Sequence, residues 1–181
     1  MQTEIMFAGF GGQGIMLAGK MLAYSALNAG YEVIWIPSYG PEMRGGTAYC
    51  TVVIADHPIG SPIIINPEHL VVMNRPSLEK FASVIRPEGV CMTNSSLIPI
   101  TSGRDDIDEI LIPCNEIAMN LKSPRSANIV ALGAFVKRSG VLDMKEIEKS
   151  VEHEFERKPK VIPVNLEALY KGAEVAENFK R

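Results

Sequence analysis

The sequence predicts an α/β protein, a single-domain three-layer α/β/α sandwich over residues 1–181 with a mixed, mostly parallel sheet and a Rossmann-like first βαβ unit. Three observations lead there. Short apolar runs alternate with helical stretches, the pattern of strands covered by crossover helices. A glycine-rich turn stands directly between the first strand and the first helix. Between residues 47 and 73, three strand-like runs follow one another with no helix between them, so part of the sheet must be antiparallel.

Residues 4–8 form a short apolar run ending in glycines, which is a buried strand. Residues 14–29, GIMLAGKMLAYSALNA, have helical composition, and Gly30 stands where a helix C-terminus stops. The run YEVIWI at 31–36 is a second strand, with Pro37 as its stop, and TAYCTVVIA at 47–55 is a third. Further strands are predicted at 62–65, 70–73, 89–93 and 109–113. A helix over 76–85 opens with Pro76 in its first turn. Beyond Pro124 the chain is helical: an apolar stretch at 128–139 ended by Gly140, an amphipathic one at 143–156 with Asp143 as N-cap, and a surface helix at 165–179.

With 46% hydrophobic and 22% charged residues, the 181-residue chain buries a substantial core and is neither disordered nor of low complexity. Its net charge of −3, with basic residues scattered, supplies no face for nucleic acid. No apolar stretch approaches the roughly 18–20 residues that span a bilayer, and MQTEIMFAGFGG lacks the basic n-region of a signal peptide. A soluble, cytoplasmic protein that contacts neither membrane nor nucleic acid is expected. Cys50, Cys91 and Cys114 are odd in number, widely spaced and set in apolar runs, which reads as buried hydrophobes rather than disulfides, zinc or iron–sulfur ligands. His57, His69 and His153 have no metal-ligand spacing, and no metal site is expected.

Gly9-Phe10-Gly11-Gly12-Gln13-Gly14 fits G-x-G-x-x-G between strand and helix. A helix N-terminus offers unpaired N–H groups and a positive partial charge there, so Gly9, Gly11, Gly12, Gln13 and Gly14 are candidates for contact with a cofactor or anion. A tight turn packed on protein or another subunit is the competing reading. A dinucleotide site wants an acid about 20 residues on, at the end of the second strand. That strand instead ends Trp35-Ile36-Pro37-Ser38-Tyr39. The stretch Gly14 to Met21 also reads G-x4-G-K, but its intervening residues propagate a helix and Met21 replaces the Ser or Thr that would hold Mg²⁺. A free-standing nucleotide- or dinucleotide-binding protein using Gly9–Gly14 remains the alternative function.

The second conspicuous loop, PSYGPEMRGG, follows the second strand and is expected on the same edge of the sheet. Ser38, Gly40, Glu42, Arg44, Gly45 and Gly46 are its candidate interface or cleft residues. Arg44 could pair with Glu42 and brace the loop, or meet a phosphate, a carboxylate or an acid on a partner. The acid run SGRDDIDE, with Asp105, Asp106, Asp108 and Glu109, reads as a solvated loop. No catalytic residue is assigned, because no nucleophile–base arrangement can be placed on one edge.

Taken together, FAGFGGQGIMLAGKMLA, PSYGPEMRGGTAYCTVVIAD and SANIVALGAF resemble the gamma subunit of 2-oxoacid:ferredoxin (acceptor) oxidoreductases, closest to the 2-oxoglutarate type. The resemblance runs in order from Ile5 to about Phe135. It implies a subunit of an enzyme that oxidatively decarboxylates a 2-oxoacid to its acyl-CoA, with partners in alpha, beta and delta subunits and in ferredoxin or a similar acceptor. Thiamine diphosphate with Mg, the iron–sulfur clusters and CoA are implied on or between the other subunits, with none assigned to this chain. Pyruvate, branched-chain 2-oxoacids and indolepyruvate stay open as substrates. The isolated chain is then expected to be inactive and to expose apolar surface meant for partners, with homodimerisation open in their absence.

Overall fold

The computed structural model describes residues 1–38 and 47–180. Six strands form one mixed sheet: β1 (Gln2–Phe10), β2 (Glu32–Ser38), β3 (Thr47–Ala55), β4 (His69–Val72), β5 (Val90–Asn94) and β6 (Asp108–Ile112), in the spatial order β2-β3-β1-β4-β5-β6. Strand β3 runs antiparallel to both neighbours, while β1, β4, β5 and β6 pair in parallel. The sheet is therefore mixed and mostly parallel, as its sequence pattern predicts. The first crossover departs from a Rossmann unit in one respect. Helix α1 (Ile15–Asn28) carries the chain from β1 to β2 over an intervening position, which the reversed strand β3 then fills.

Five helices share one face: α1, α3 (Cys114–Asn120), α4 (Ala127–Ser139), α5 (Met144–Glu154) and α6 (Ile162–Asn178). They bury Ile5, Phe7, Val52, Ile54, Val71, Met92 and Ile110, with Phe135 set edge-on to Phe7 at a 6.0 Å ring separation. Helix α4 is buried from Ala127 to Val136, all but its last turn, because α6 closes over it. The two backbones touch at glycines. A Cβ on Gly133 would lie 2.0 Å from the Leu169 carbonyl oxygen, and one on Gly172 would lie 2.0 Å from that of Val130. Among the described residues the other face carries one short helix, α2 (Arg75–Phe81), with a 3₁₀ turn behind it. Leu78, Phe81, Ile98 and Ile107 there cover Met6, Ala8, Leu70 and Val72. Tyr49 of β3 meets the Phe81 ring edge-on at 5.4 Å, and among the described residues no helix lies over β2 on that side. The α/β/α layering holds, with one outer layer far thinner than the other.

Four expectations need correcting. Pro37 does not end its strand: β2 continues to Ser38, because an edge strand tolerates a residue without an N–H. The apolar run at 62–65 is not a strand, and Ile63 and Ile65 are 75% and 77% exposed. The acid run is a solvated loop only in its first half: Asp105 and Asp106 are exposed, whereas Asp108 and Glu109 belong to β6. Arg138 binds Asp108 with two nitrogens, while buried Glu109 accepts from Thr93 Oγ1 and from the backbone N–H and hydroxyl of Ser102. A helix, α3, stands at 114–120, where the sequence reading assigns none.

Candidate functional site

The parallel strands end together on one rim of the sheet. From β1 the chain turns through Gly11 and Gly12 into α1 on the thick face, and from β4 it turns through Asn74 into α2 on the thin face. Neighbouring strands whose connections leave to opposite faces open a crevice at their carboxyl ends, where α/β proteins hold ligands.

Here that crevice is filled from within. Gln13 Oε1 accepts from the Phe10 N–H at 2.7 Å, and its Nε2 donates to the Met73 carbonyl at 2.9 Å. Asn74 Nδ2 approaches the same Oε1 at 3.5 Å, while Asn74 Oδ1 caps α2 by accepting from Ser77 N at 2.9 Å. One side chain thus ties the glycine turn to the end of β4. Gly9 is small for the same reason: a Cβ there would sit 2.7 Å from Gln13 Oε1 and 3.1 Å from Met73 Cβ.

Gly14 is the N-cap of α1, in the left-handed region at φ 75°. Its carbonyl accepts from Asn128 Nδ2 at 3.1 Å, and a Cβ would lie 2.5 Å from that nitrogen. The turn is therefore fixed from two sides, by Asn74 and Asn128, and the segments GFGGQG and SANIVALG meet in space. Gly11 and Gly12 form the exposed tip beside the 38% exposed ring of Phe10. At Gly12, φ is 92° and a Cβ would meet nothing within 4 Å. Of the five turn residues named from the sequence, Gly9, Gln13 and Gly14 have intramolecular partners, and Gly11 and Gly12 face outward.

The second loop begins and ends at this rim. Thr47, the first residue of β3, pairs with Phe10, and Ser38, the last of β2, pairs with Tyr49. Gly40, Glu42, Arg44, Gly45 and Gly46 lie outside the described residues, and so does any pairing between Glu42 and Arg44. Ser38 borders a groove of about 400 Å³ whose lining, Ile36, Pro37, Tyr49, Thr51, Pro62, Ile63 and Ile64 with Ser38 itself, carries no charge.

The rim is poorly suited to a nucleotide. With β3 between them, the end of β2 stands about 10 Å from β1, two strand spacings, rather than one. The place of the ribose-binding acid is taken by the start of β3. The near-match to a phosphate loop is a helix: Gly19 and Lys20 lie inside α1, Gly19 against Cys50 Sγ, and Lys20 paired with Glu154 at 3.0 Å.

The three cysteines are buried and free. Burial pushes the thiols of Cys50 and Cys91 up to about 12 and raises that of Cys114 as well, so none is a ready thiolate. Among the described residues, no group of three or more His, Cys, Asp or Glu side chains could hold a metal ion. No helix there is long and apolar enough to cross a membrane. Asn74 and Asn128 are the site residues whose roles the sequence reading did not find. Asn128 stood within a quoted motif, whereas Asn74 has only the local signal of an Asn before Arg-Pro at a helix start.

Residues 4–175 match the family described as pyruvate ferredoxin/flavodoxin oxidoreductase. The chain is 36% identical over 181 residues to the ketoisovalerate oxidoreductase subunit VorA of Methanothermobacter thermautotrophicus, covering 99% of itself but 38% of that protein. It thus spans less than two-fifths of the length of that curated relative. With the 2-oxoglutarate synthase subunit KorC of Methanocaldococcus jannaschii it shares 37% identity over 184 residues, covering 99% of this chain and 96% of that one. The 2-oxoglutarate:ferredoxin oxidoreductase of Magnetococcus marinus, solved with 2-oxoglutarate, coenzyme A and succinyl-CoA bound, superposes with a TM-score of 0.88 at 25% identity, over 99% of this chain and 32% of that one. With nearly its full length inside the family match and a near end-to-end counterpart in KorC, the chain belongs to the pyruvate ferredoxin/flavodoxin oxidoreductase family.

Proposed function

We propose that the chain is the gamma-type subunit of a multi-chain, cytoplasmic 2-oxoacid:ferredoxin oxidoreductase, with 2-oxoglutarate as the 2-oxoacid. It folds as one domain and contributes assembly and one wall of the CoA and cofactor cleft. Its partners are alpha, beta and delta subunits, with ferredoxin as the acceptor. The observation that carries this reading is the rim. Gln13 fills the crevice that would otherwise take a ligand, while Gly11 and Gly12 form an exposed tip beside Ser38 and Thr47, the described residues that flank the 39–46 segment. Such a surface serves as a wall completed by another chain.

Gly11, Gly12, Ser38, Gly40, Glu42, Arg44, Gly45 and Gly46 are the residues proposed to line that wall. Gly9, Gln13 and Gly14 hold its shape from behind. The near end-to-end match to KorC favours 2-oxoglutarate over branched-chain substrates.

Thiamine diphosphate with its Mg, and iron–sulfur clusters, do not fit the described residues of this chain. Their cysteines are buried, protonated thiols and no acidic or histidine cluster is available. On this proposal the redox centres belong to partner chains, and the isolated subunit is expected to show no turnover.

The test is reconstitution. The chain co-expressed with its alpha, beta and delta partners should reduce viologen in the presence of 2-oxoglutarate and CoA, with much lower rates on pyruvate or 2-oxoisovalerate. Full turnover by a complex lacking this chain would refute the proposal. Turnover only on a different 2-oxoacid would refute its substrate.

A further inference from the structure

We infer that the apolar patch made by Ile36 of β2 and the 62–65 segment docks a sister polypeptide, of the kind that makes up the remainder of the longer relatives. The inference rests on the multi-chain reading above and adds the surface through which it is realised.

Every other part of the sheet is covered among the described residues. On the thin face, α2 and the 95–107 segment seal β1, β4 and β5, and α2 reaches β3 at Tyr49, whose ring meets Phe81 edge-on at 5.4 Å; Thr51, Val53 and Ala55 of β3 are buried too, and among the described residues no helix lies over β2. What lies there instead is apolar. Ile36 on the edge strand is 39% exposed, and Ile63 and Ile65, from the irregular segment beside it, are 75% and 77% exposed. Ile63 and Ile65 are the most exposed large hydrophobic side chains among the described residues, and clustered exposed apolar surface marks an interaction site.

Among the described residues, the groove among Ile36, Tyr49 and Ile63 has no charged lining residue. A phosphate- or carboxylate-bearing ligand would find no counter-charge among these residues, and an apolar polypeptide surface suits them better. Strand β2 adds a sheet edge that no strand among the described residues pairs with, beside the same patch.

The longer relatives indicate which polypeptide. VorA and the Magnetococcus chain contain this whole domain as 38% and 32% of their length. In them, most of the chain is tethered to this domain. When the domain is a separate chain, contacts that such a tether would hold in place must be sustained by the surface itself, and a buried apolar face does that. A second copy of this chain is less suited. Antiparallel self-pairing along β2 would set the exposed isoleucines of both copies side by side on one face, enlarging the patch instead of burying it.

The experiment uses the full chain and a defined probe, the polypeptide of the same genome that matches the part of VorA outside the aligned region. Wild-type chain should bind it stably. Ile63→Glu/Ile65→Glu should weaken binding at least tenfold with an unchanged Tm, since neither side chain is buried in the free chain. Ile36→Glu should do the same. Amide exchange at 33–38 and 49–54 should slow on binding.

If wild-type chain binds no such polypeptide, the multi-chain reading itself fails. If it binds and the isoleucine variants bind as tightly, with Gly12→Arg alone disrupting the complex, docking is through the rim and the inference is overturned. A free wild-type chain that sediments as a dimer and becomes monomeric in the isoleucine variants would overturn it in favour of self-association.

Discussion

The side-chain amide of Gln13 donates to the backbone carbonyl of Met73 across 2.9 Å, joining two strand ends separated by sixty residues of chain. Its carbonyl simultaneously accepts from Phe10 N–H, so both ends of the amide are used. Replacing Gln13 by Ala leaves one donor and one acceptor unmatched at a partly buried site and should cost about 1–3 kcal/mol. For a domain of this size that lowers Tm by roughly 3–10 °C, measurable by calorimetry. Gln13→Glu separates the two bonds. At neutral pH its carboxylate keeps the Phe10 contact but faces the Met73 oxygen with no proton to give, and native burial beside a carbonyl raises its pKa. Stability lost at pH 7 should therefore return as pH falls toward and below about 4.3, the ordinary Glu value. A pH-independent deficit would mean that the Met73 bond contributes little.

Close approach of α4 and α6 makes a second expectation. Gly133→Ala and Gly172→Ala each improve helix propensity by about 1 kcal/mol. Each also drives a Cβ to within 2.0 Å of a carbonyl oxygen of the opposing helix. Backbone must move, and net destabilisation of about 2 kcal/mol or more should result. Gly60→Ala, where a Cβ meets nothing within 4 Å, should stay within about 0.5 kcal/mol of wild type. Urea unfolding of the three variants would check the ranking.

Buried His69 accepts from the Val90 N–H through Nδ1 at 2.9 Å, bracing β4 against β5, and lies edge-on to Phe135. Burial lowers its pKa; the Glu68 charge opposes this and Arg86 reinforces it. The folded state thus prefers the neutral ring, and the unfolded chain takes up the proton first. Stability from this group is complete above the ordinary His value of about 6.5 and declines as pH falls below it toward the lower folded-state value. His69→Asn, which keeps an acceptor but does not titrate there, should show a shallower loss of unfolding free energy between pH 7 and pH 5. Equal slopes would show that His69 is not the group responsible.

Much of the fold was legible because its signals are local. The glycine turn lies between β1 and α1, Gly140 ends α4 at φ 66°, and Asp143 caps α5 by accepting from Lys145 N. The errors arise where distant partners decide. Helix α3 has no cap of its own, since Ser96 Oγ accepts from the N–H groups of Asn115 and Glu116 from across the rim. The residues around Glu109 look like a hydrated acid run until Ser102, Thr93 and Arg138 are seen to satisfy them. Ile63 and its neighbours have strand composition but no ladder to join. At the candidate site, the shared rim followed from placing both loops after parallel strands. The inward role of Gln13 did not, because Met73 and Asn74 are remote in sequence.

The reversed strand β3 also bears on how the chain acquires its shape. Since β3 separates β1 from β2, the first sixty residues cannot close as a nascent βαβ unit: β2 has nothing to pair with until residues 47–55 have been synthesised. Three strands must then register together, with β3 templating both neighbours at once. That concentrates the early kinetic cost of folding in one concerted event of long loop closure. Truncations ending before Ala55 should leave β1 and β2 as exposed apolar segments prone to aggregation, whereas those ending beyond it keep a sheet nucleus.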